Sequence, residues 1–172
     1  MLLVEQRAAA DAIASTQLML SFERRCKSRL RTRLISGEEC GLFLERGTVL
    51  RGGDKLVASN GVVIEVIAAP EALMEAVSAD ALQLARVAYH LGNRHVAVEI
   101  LPSCLRFAHD HVLGEMVRGL GLSVTEVEAA FEPESGAYGG GGSHAHSHAH
   151  PPGHSADGEG RGPRIHDHFQ AK

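Results

Sequence analysis

The sequence predicts an α+β protein: a small N-terminal all-β domain, then a βαββαβ domain, then a flexible histidine-rich tail. Glycine turns separate strand-length segments as far as Pro70, which is typical of β structure. Helical periods of apolar residues then alternate with strand-length runs. From Gly139 the chain is rich in glycine, histidine, alanine and proline and cannot contribute to a packed core. We therefore divide the chain into residues 1–70, 71–138 and 139–172.

Strand-length segments and tight turns make up the N-terminal domain. Residues 16–22 are predicted as its first clear strand, and residues 41–44 as a short buried run. The apolar run 61–67 closes the domain as a strand. The turn signals are Ser36-Gly37, the segment 51–54 and Asn60-Gly61, the last of which is a good hairpin signal.

A run of five cations at every second position follows the first predicted strand. A period of two would place all five on one face of a strand. Such a face could bind an acidic partner or a phosphate, but a solvated outer face of a small barrel is the favoured interpretation. No aromatic residue lies between the cations, which argues against single-stranded nucleic acid. The five are Arg25, Lys27, Arg29, Arg31 and Arg33.

Two amphipathic helices separate the strands of the second domain. Asp80 is an N-cap candidate for the first helix, which Gly92 ends, and Asp110 can cap the second, which Gly121 ends. The resulting order of strand, helix, strand, strand, helix, strand is the ferredoxin-like arrangement. The four predicted strands cover residues 71–77, for which irregular chain is the alternative, and residues 96–101, 104–107 and 123–129.

Bulk composition excludes several classes of protein. The net charge of -4 gives no general reason to expect nucleic-acid binding. The chain has no tryptophan, so leucine, valine, alanine and isoleucine must fill its cores. Cys26, Cys40 and Cys104 are widely spaced, which indicates neither a disulfide framework nor a zinc ribbon. The start is unlike a secretory signal and no run approaches the ~20 apolar residues of a membrane span, so we expect a soluble, cytoplasmic protein.

Histidine is concentrated in the tail, where it alternates with alanine and serine. Neutral imidazole is a common ligand of Ni²⁺, Cu²⁺ and Zn²⁺, and small spacers let several rings surround one ion. A purification tag or drifting low-complexity sequence is the alternative, but tags are normally uninterrupted. The composition therefore favours metal binding. The tail histidines are His144, His146, His148, His150, His154, His166 and His168.

A second histidine set lies in the predicted ferredoxin-like domain. His90 and His95 flank the end of the first helix, and His109 and His111 flank Asp110 at the start of the second. Each histidine taken alone is better explained structurally, for example by helix-end interactions. Four within 22 residues, in a chain with a histidine tail, favour metal binding. Two subunits of a dimer could supply ligands to one site.

Four segments together resemble the UreE urease accessory protein family. They are YHLGNRH at 89–95, HDHVL at 109–113, FEPESGAY at 131–138 and LRGGD at 50–54, followed by the histidine-rich tail. No single segment would suffice, but their order and spacing are similar to the family over residues 1–138. Ala108 departs from the histidine or aromatic residue that some members carry there.

The resemblance implies a homodimeric nickel metallochaperone that supplies Ni²⁺ during urease maturation. It implies that His95 of each subunit binds metal at the dimer interface, that His109 and His111 add weaker binding, and that the tail adds capacity. It also implies a first domain similar to a peptide-binding chaperone module. The implied partners are the accessory GTPase UreG and the urease apoprotein complex.

Three other functions fit parts of the sequence. A histidine-rich metal buffer would depend on the tail and need no delivery partner. A peptide-binding co-chaperone would depend on the first domain alone. An enzyme with a histidine metal centre is disfavoured, because the chain has neither an HExxH motif nor a nucleophile with a defined base. We expect a non-enzyme.

Overall fold

Two β-sheets follow one another along residues 1–135, which are the residues that the structure, a computed structural model, describes. The first sheet contains strands β1–β6 and the second contains β7–β10. The predicted tail, residues 139–172, lies outside the described residues. The elements are β1 (Leu2–Arg7), β2 (Thr16–Leu20), α1 (Phe22–Arg25), β3 (Arg29–Arg33), β4 (Glu39–Phe43), β5 (Lys55–Ala58), β6 (Val63–Ala68), β7 (Pro70–Val77), α2 (Ala81–Gly92), β8 (Val98–Ile100), β9 (Cys104–Ala108), α3 (His111–Gly119) and β10 (Ser123–Ala130).

The first sheet has the strand order β2-β6-β5-β1-β4-β3. β1 pairs in parallel with β4, and β2 with β6, whereas the other neighbours are antiparallel. Leu18, Leu42 and Ile64 are fully buried in the core of this sheet. As the composition requires, aliphatic side chains fill the core without tryptophan.

The strand β1 is absent from the sequence prediction, which places the first strand at 16–22. Leu2 and Val4 are buried while Leu3 and Glu5 are exposed, so β1 does alternate with period two. The alternation spans only these few residues, which is too short to separate a strand from irregular chain. Pairing with β4 and β5, which lie far along the sequence, places β1 inside the sheet.

The prediction of five cations on one strand face is wrong. The chain leaves β2 at Leu20 and makes one helical turn, α1, in which the N–H of Arg25 donates to the carbonyl oxygen of Ser21 at 2.9 Å. Arg25 is fully buried at the end of this turn, whereas Arg29, Arg31 and Arg33 form β3 and are exposed. An alternating pattern fixes a face only within one regular element, and here it crosses a helical turn.

The predicted turns of the first domain are confirmed. Ala58 N donates to Val62 O at 2.9 Å and closes the β5–β6 hairpin around Asn60-Gly61. At the turn 51–54, Asp54 Oδ2 accepts from Arg51 N at 2.8 Å. Gly53 has φ 87° there, a conformation that side chains with a Cβ disfavour.

The second sheet confirms the predicted ferredoxin-like arrangement and with it the α+β fold class. Its strand order is β10-β7-β9-β8, with every neighbouring pair antiparallel. α2 and α3 bury Val87, Leu91 and Val117 in one core with Met74 and Phe107 of the strands. The helices therefore supply one layer and the sheet the other.

Both predicted N-caps are confirmed. Asp80 Oδ1 accepts from Leu82 N at 2.8 Å at the start of α2. Asp110 Oδ1 accepts from Val112 N at 2.8 Å and from Leu113 N at 3.0 Å at the start of α3. Capping satisfies N–H groups that have no partner within the helix.

In the described residues, no helix is long and apolar enough to cross a membrane.

The segment 131–135 follows β10 and joins the two sheets through Glu132. Glu132 Oε1 accepts hydrogen bonds from Gly52 N at 2.7 Å and from Arg25 Nη1 at 2.9 Å. Its Oε2 accepts from Arg51 Nη1 at 3.2 Å. The Glu132 carboxylate of the second domain thus accepts hydrogen bonds from three donors of the first domain.

Arg25 is the buried partner of Glu132, and we call the contacts of these two residues the joint between the sheets. Its guanidinium is inaccessible to solvent and also donates to the carbonyl oxygens of Leu50 and Phe131. Phe22 packs edge-to-face on Phe131 with ring centroids 5.5 Å apart, and so closes the apolar side of the joint. Because an unpaired buried charge is costly, the burial of Arg25 requires these hydrogen bonds and the ion pair with Glu132.

Gly52 allows the close approach between the two sheets. A Cβ on Gly52 would lie 3.0 Å from Glu132 Oε1, the oxygen that its N–H binds. A side chain at this position would therefore push the carboxylate away from its donors. Two of the four segments that carry the family resemblance, 50–54 and 131–138, meet at this joint as far as the structure describes them.

Replacing Glu132 with glutamine should reduce stability in a pH-dependent way. Burial raises the pKa of Glu132, but the hydrogen bonds from Gly52 N, Arg51 and Arg25 outweigh it, so its pKa lies below the ordinary value. A lowered native pKa adds stability above the unfolded-state pKa and loses it as pH falls through the native pKa. At pH 7 we expect Glu132→Gln to lower the free energy of unfolding by about 1–3 kcal/mol.

Urea unfolding from neutral to acidic pH measures this difference. The difference in free energy of unfolding between wild type and Glu132→Gln should become smaller as the pH falls below the usual pKa range of a carboxylic acid. Glu128→Gln is the matched control, because Glu128 is exposed on β10. If the difference in unfolding free energy stays constant down to acid pH, the added stability does not come from the ionised carboxylate of Glu132.

Candidate metal-binding histidines

The fold brings all four histidines of the second domain to one end of its sheet, where β8 starts and β9 ends. β8 and β9 are antiparallel, and Val98 at the start of β8 pairs with Phe107 near the end of β9. His95 precedes the start of β8 and His109 follows the end of β9, so both lie at this end of the sheet. α2 ends and α3 begins at the same end, because each helix is joined to one of these strands.

His95 occupies a strained turn immediately after α2. Its φ is 56°, and it is the only residue other than glycine with positive φ in the described part of the chain. Its N–H donates to Gly92 O at 2.9 Å, and its side chain is exposed. Residues with a Cβ seldom adopt this conformation, and such strain is concentrated at functional sites. The sequence signals a turn at Gly92-Asn93 but does not signal that the strain falls on His95.

His90 lies in the last turn of α2 and is half-buried. Its ring packs edge-to-face against the ring of Tyr89, with centroids 5.5 Å apart. Its carbonyl oxygen accepts a hydrogen bond from Arg94 Nη1 at 3.0 Å. These contacts hold the backbone that leads into the His95 turn.

His109 contacts a carboxylate that sequence reasoning missed. Its Nε2 lies 3.2 Å from Glu126 Oε1 on β10, and both side chains are exposed. Glu126 pairs with Met74, whose side chain faces the helices, so Glu126 projects on the helix side of the sheet. Imidazole nitrogen and carboxylate oxygen are both ligands of zinc and related divalent metals. Only the strand register brings the two together.

His111 is the first residue of α3 and is exposed. It stands next to Asp110, whose Oδ1 accepts from two backbone N–H groups. The structure therefore supports a capping role for Asp110, as opposed to that of a catalytic base. The His111 imidazole remains accessible at the same end of the sheet as the other three histidines.

Residues 1–135 of one chain do not assemble a closed metal site. Among them no group of three or more histidine, cysteine or acidic side chains is close enough to hold an ion. The seven predicted tail ligands, His144, His146, His148, His150, His154, His166 and His168, lie outside the described residues. The described geometry offers exposed single ligands and the His109–Glu126 pair.

Two family models match successive parts of the chain. The model described as the UreE urease accessory protein, N-terminal domain, matches residues 3–69. The model described as the UreE urease accessory protein, C-terminal domain, matches residues 71–160. Together they span the described structure almost completely.

Individual relatives agree with the family models. The urease accessory protein UreE of Dechloromonas aromatica (strain RCB) is 55% identical over 145 residues, which cover 81% of this chain and 82% of that protein. UreE of Pseudomonas putida is 54% identical over 127 residues, covering 73% and 76%. UreE of Burkholderia pseudomallei (strain 1710b) is 50% identical over 135 residues, covering 78% and 66%.

These matches, together with the fold, define the class of protein. It is an accessory chaperone with a role in urease maturation, and not an enzyme. The chain belongs to the UreE urease accessory protein family.

Two substitutions at His95 should show how the positive φ of this residue affects the free energy of unfolding, separately from the loss of its imidazole. Valine has a branched Cβ and should lower the free energy of unfolding by about 1–2 kcal/mol at this φ. Glycine relieves the strain but loosens the unfolded chain, so His95→Gly should stay within about 1 kcal/mol of wild type. Urea unfolding of the two variants tests this order, and a His95→Val variant as stable as wild type would contradict it.

Proposed function

We propose that the protein is a nickel metallochaperone that binds Ni²⁺ through histidines of a homodimer interface and of its tail, and delivers it during urease assembly. Membership of the UreE family supports the place in urease maturation. The observation that carries the nickel proposal is the exposed His95 in its strained turn, at an end of the sheet with three further histidines.

An incomplete site suits a carrier that must release its cargo. One imidazole from each of two subunits fills only part of a nickel coordination sphere, so water, tail histidines or a partner's ligands can occupy the rest. Ligands then exchange one at a time, without the opening of a closed cage. The same histidines should also bind Zn²⁺ in vitro, and should bind Cu²⁺ more tightly than Ni²⁺, so selectivity must come from metal supply and partner docking.

Exposed apolar side chains beside the histidines support the homodimer. Tyr89 is 66% exposed and Val112 is 62% exposed, and each neighbours a histidine in sequence. Large apolar side chains that project into solvent at one end of the sheet are typical of an association surface. A two-fold axis through this end would place both His95 side chains near one ion.

The remaining assignments complete the proposal. The proposed sites are His95 at the interface, and His90, His109, His111 and the tail histidines as auxiliary ligands. The proposed partners are the accessory GTPase UreG and the urease apoprotein complex, in the cytoplasm. The proposed domains are residues 1–70 and 71–138, followed by the tail.

Nickel titration by calorimetry tests the interface site. The proteins compared are the intact chain, a chain truncated after Tyr138, and the truncated chain carrying His95→Gly. Glycine is chosen because it removes the imidazole while tolerating the positive φ. We expect the truncated chain to keep one tight nickel per dimer and the His95→Gly variant to lose it.

A histidine-rich metal buffer is the second candidate, and the composition of the tail favours it. A buffer needs no interface site, so truncation after Tyr138 should then remove nearly all tight binding. His95→Gly in the intact chain should then have little effect. This pair of results would replace the metallochaperone proposal.

Nickel affinity should fall on acidification from about pH 7.5 to about pH 5.5, because protons compete with the metal for imidazole. The calorimetric titration repeated across this range measures the effect. An affinity that does not change with pH would contradict coordination by histidine.

A further inference from the structure

A cavity of about 460 Å³ lies beside the joint between the two sheets, and we call it the joint cavity. Cavities of about 300–1,000 Å³ are the usual size of small-ligand sites, so this one has room for an aromatic side chain. Within the described residues, no histidine lines it, so the proposed nickel site does not use it. Its walls include Arg7, Phe22, Thr48, Arg51 and Ser135.

The walls of the joint cavity combine an aromatic ring with two cations. The guanidinium carbon of Arg51 lies 6.0 Å from the centroid of the Phe22 ring. Arg7 Nη1 lies 2.9 Å from Asp54 Oδ1, and Arg7 Nη2 donates to Val49 O at 3.0 Å. These two contacts fix the Arg7 guanidinium, although its side chain is still 48% exposed. Aromatic rings pack against other rings and against guanidinium groups, so these walls suit an aromatic occupant.

The last described residues of the chain form part of the wall of this cavity. Arg51 Nη2 donates to Ser135 Oγ at 2.9 Å, and Arg51 Nη1 donates to Pro133 O at 2.6 Å. The N–H of Glu134 donates to Val98 O at 2.8 Å. Glu134 and Ser135, which line the cavity, are therefore held in place, and the residues that follow them begin there.

The sequence after Ser135 supplies one aromatic side chain close to the cavity. Gly136 and Ala137 precede Tyr138, and four glycines follow it. Three extended residues span at most about 10–11 Å, so the backbone of Tyr138 cannot lie far from Ser135. A β-turn with glycine at its first central position would bring the Cα atoms of Ser135 and Tyr138 within about 7 Å of each other. The chain thus tethers Tyr138 beside the cavity.

We propose that Tyr138 docks in the joint cavity, with its ring against Phe22 and Arg7, and anchors the start of the histidine-rich tail. A group on a short tether has an effective concentration of about millimolar, which favours Tyr138 over a free aromatic ligand. A buried tyrosine hydroxyl needs a hydrogen-bond partner, and the hydroxyl of Thr48 in the cavity wall can supply one. The docking requires no metal, so it is independent of the nickel proposal.

Tyrosine fluorescence of the full chain carrying Tyr89→Phe tests the proposal. The chain has two tyrosines and no tryptophan, so Tyr138 is then the single strong fluorophore. Acrylamide quenching is measured without metal, and a peptide of residues 134–143 gives the value for an accessible Tyr138. Pockets bury about 70–90% of the surface of an occupant, so quenching in the protein should be at least about threefold less efficient than in the peptide.

A substitution in the cavity wall shows where Tyr138 is protected. Thr48→Phe places another ring in the cavity and should release Tyr138, so that its quenching approaches that of the peptide. Thr125→Phe is the matched control, because Thr125 is exposed on β10 and does not line the cavity. In the control, Tyr138 should stay protected. Circular dichroism checks that both variants keep the fold.

Cleavage by chymotrypsin gives a second readout that does not depend on the Thr48 variant. This protease cleaves after an accessible tyrosine, and mass spectrometry identifies the fragment that ends at Tyr138. Docking should slow this cleavage relative to the same bond in the peptide, because proteases cut exposed segments.

Three results would overturn the proposal. Quenching and cleavage at Tyr138 as fast as in the peptide would show that this residue does not dock. Protection that survives Thr48→Phe, or that Thr125→Phe removes equally, would place Tyr138 outside the cavity. An accessible Tyr138, together with binding of N-acetyltyrosinamide that Thr48→Phe abolishes, would assign the cavity to an external aromatic ligand.

Discussion

The buried ionic joint between Arg25 and Glu132 is the constraint on which the arrangement of the two sheets depends. Arg25 is inaccessible to solvent and is neutralised by a carboxylate 107 residues further along the chain. Neither group can be removed without leaving the other short of a partner. The segment that carries Glu132 continues to Glu134, whose N–H donates to Val98 O at 2.8 Å at the start of β8. The joint and the His95 turn therefore border the same strand end.

Much of the fold is predictable because it follows from local rules. The caps at Asp80 and Asp110 and the succession of strands and helices along the second domain require only short-range patterns. The sequence prediction is wrong where contacts between residues far apart in the chain determine the structure. β1 is fixed by strands about forty and fifty residues away, and Arg25 is drawn into the interior by Glu132. Alternation along the chain cannot distinguish a buried arginine in a helical turn from an exposed one in a strand.

The candidate site divides in the same way. Its histidines are visible in the sequence, because residue type and clustering are local properties. Their position at one end of the sheet follows from the antiparallel pairing of β8 with β9, which places His95 and His109 at the same end of the two strands. The contact of His109 with Glu126 and the positive φ of His95 depend on strand register and turn geometry, which composition does not encode. The tail histidines stay predictions outside the described residues.

In the proposed function, two His95 side chains from two subunits hold one nickel ion. X-ray diffraction from nickel-loaded crystals of the chain truncated after Tyr138, recorded at the nickel absorption edge, locates the ion directly. We expect an anomalous peak on a two-fold axis between two His95 imidazoles. A peak bound only by His109 and Glu126 within one subunit, with none at His95, would contradict it.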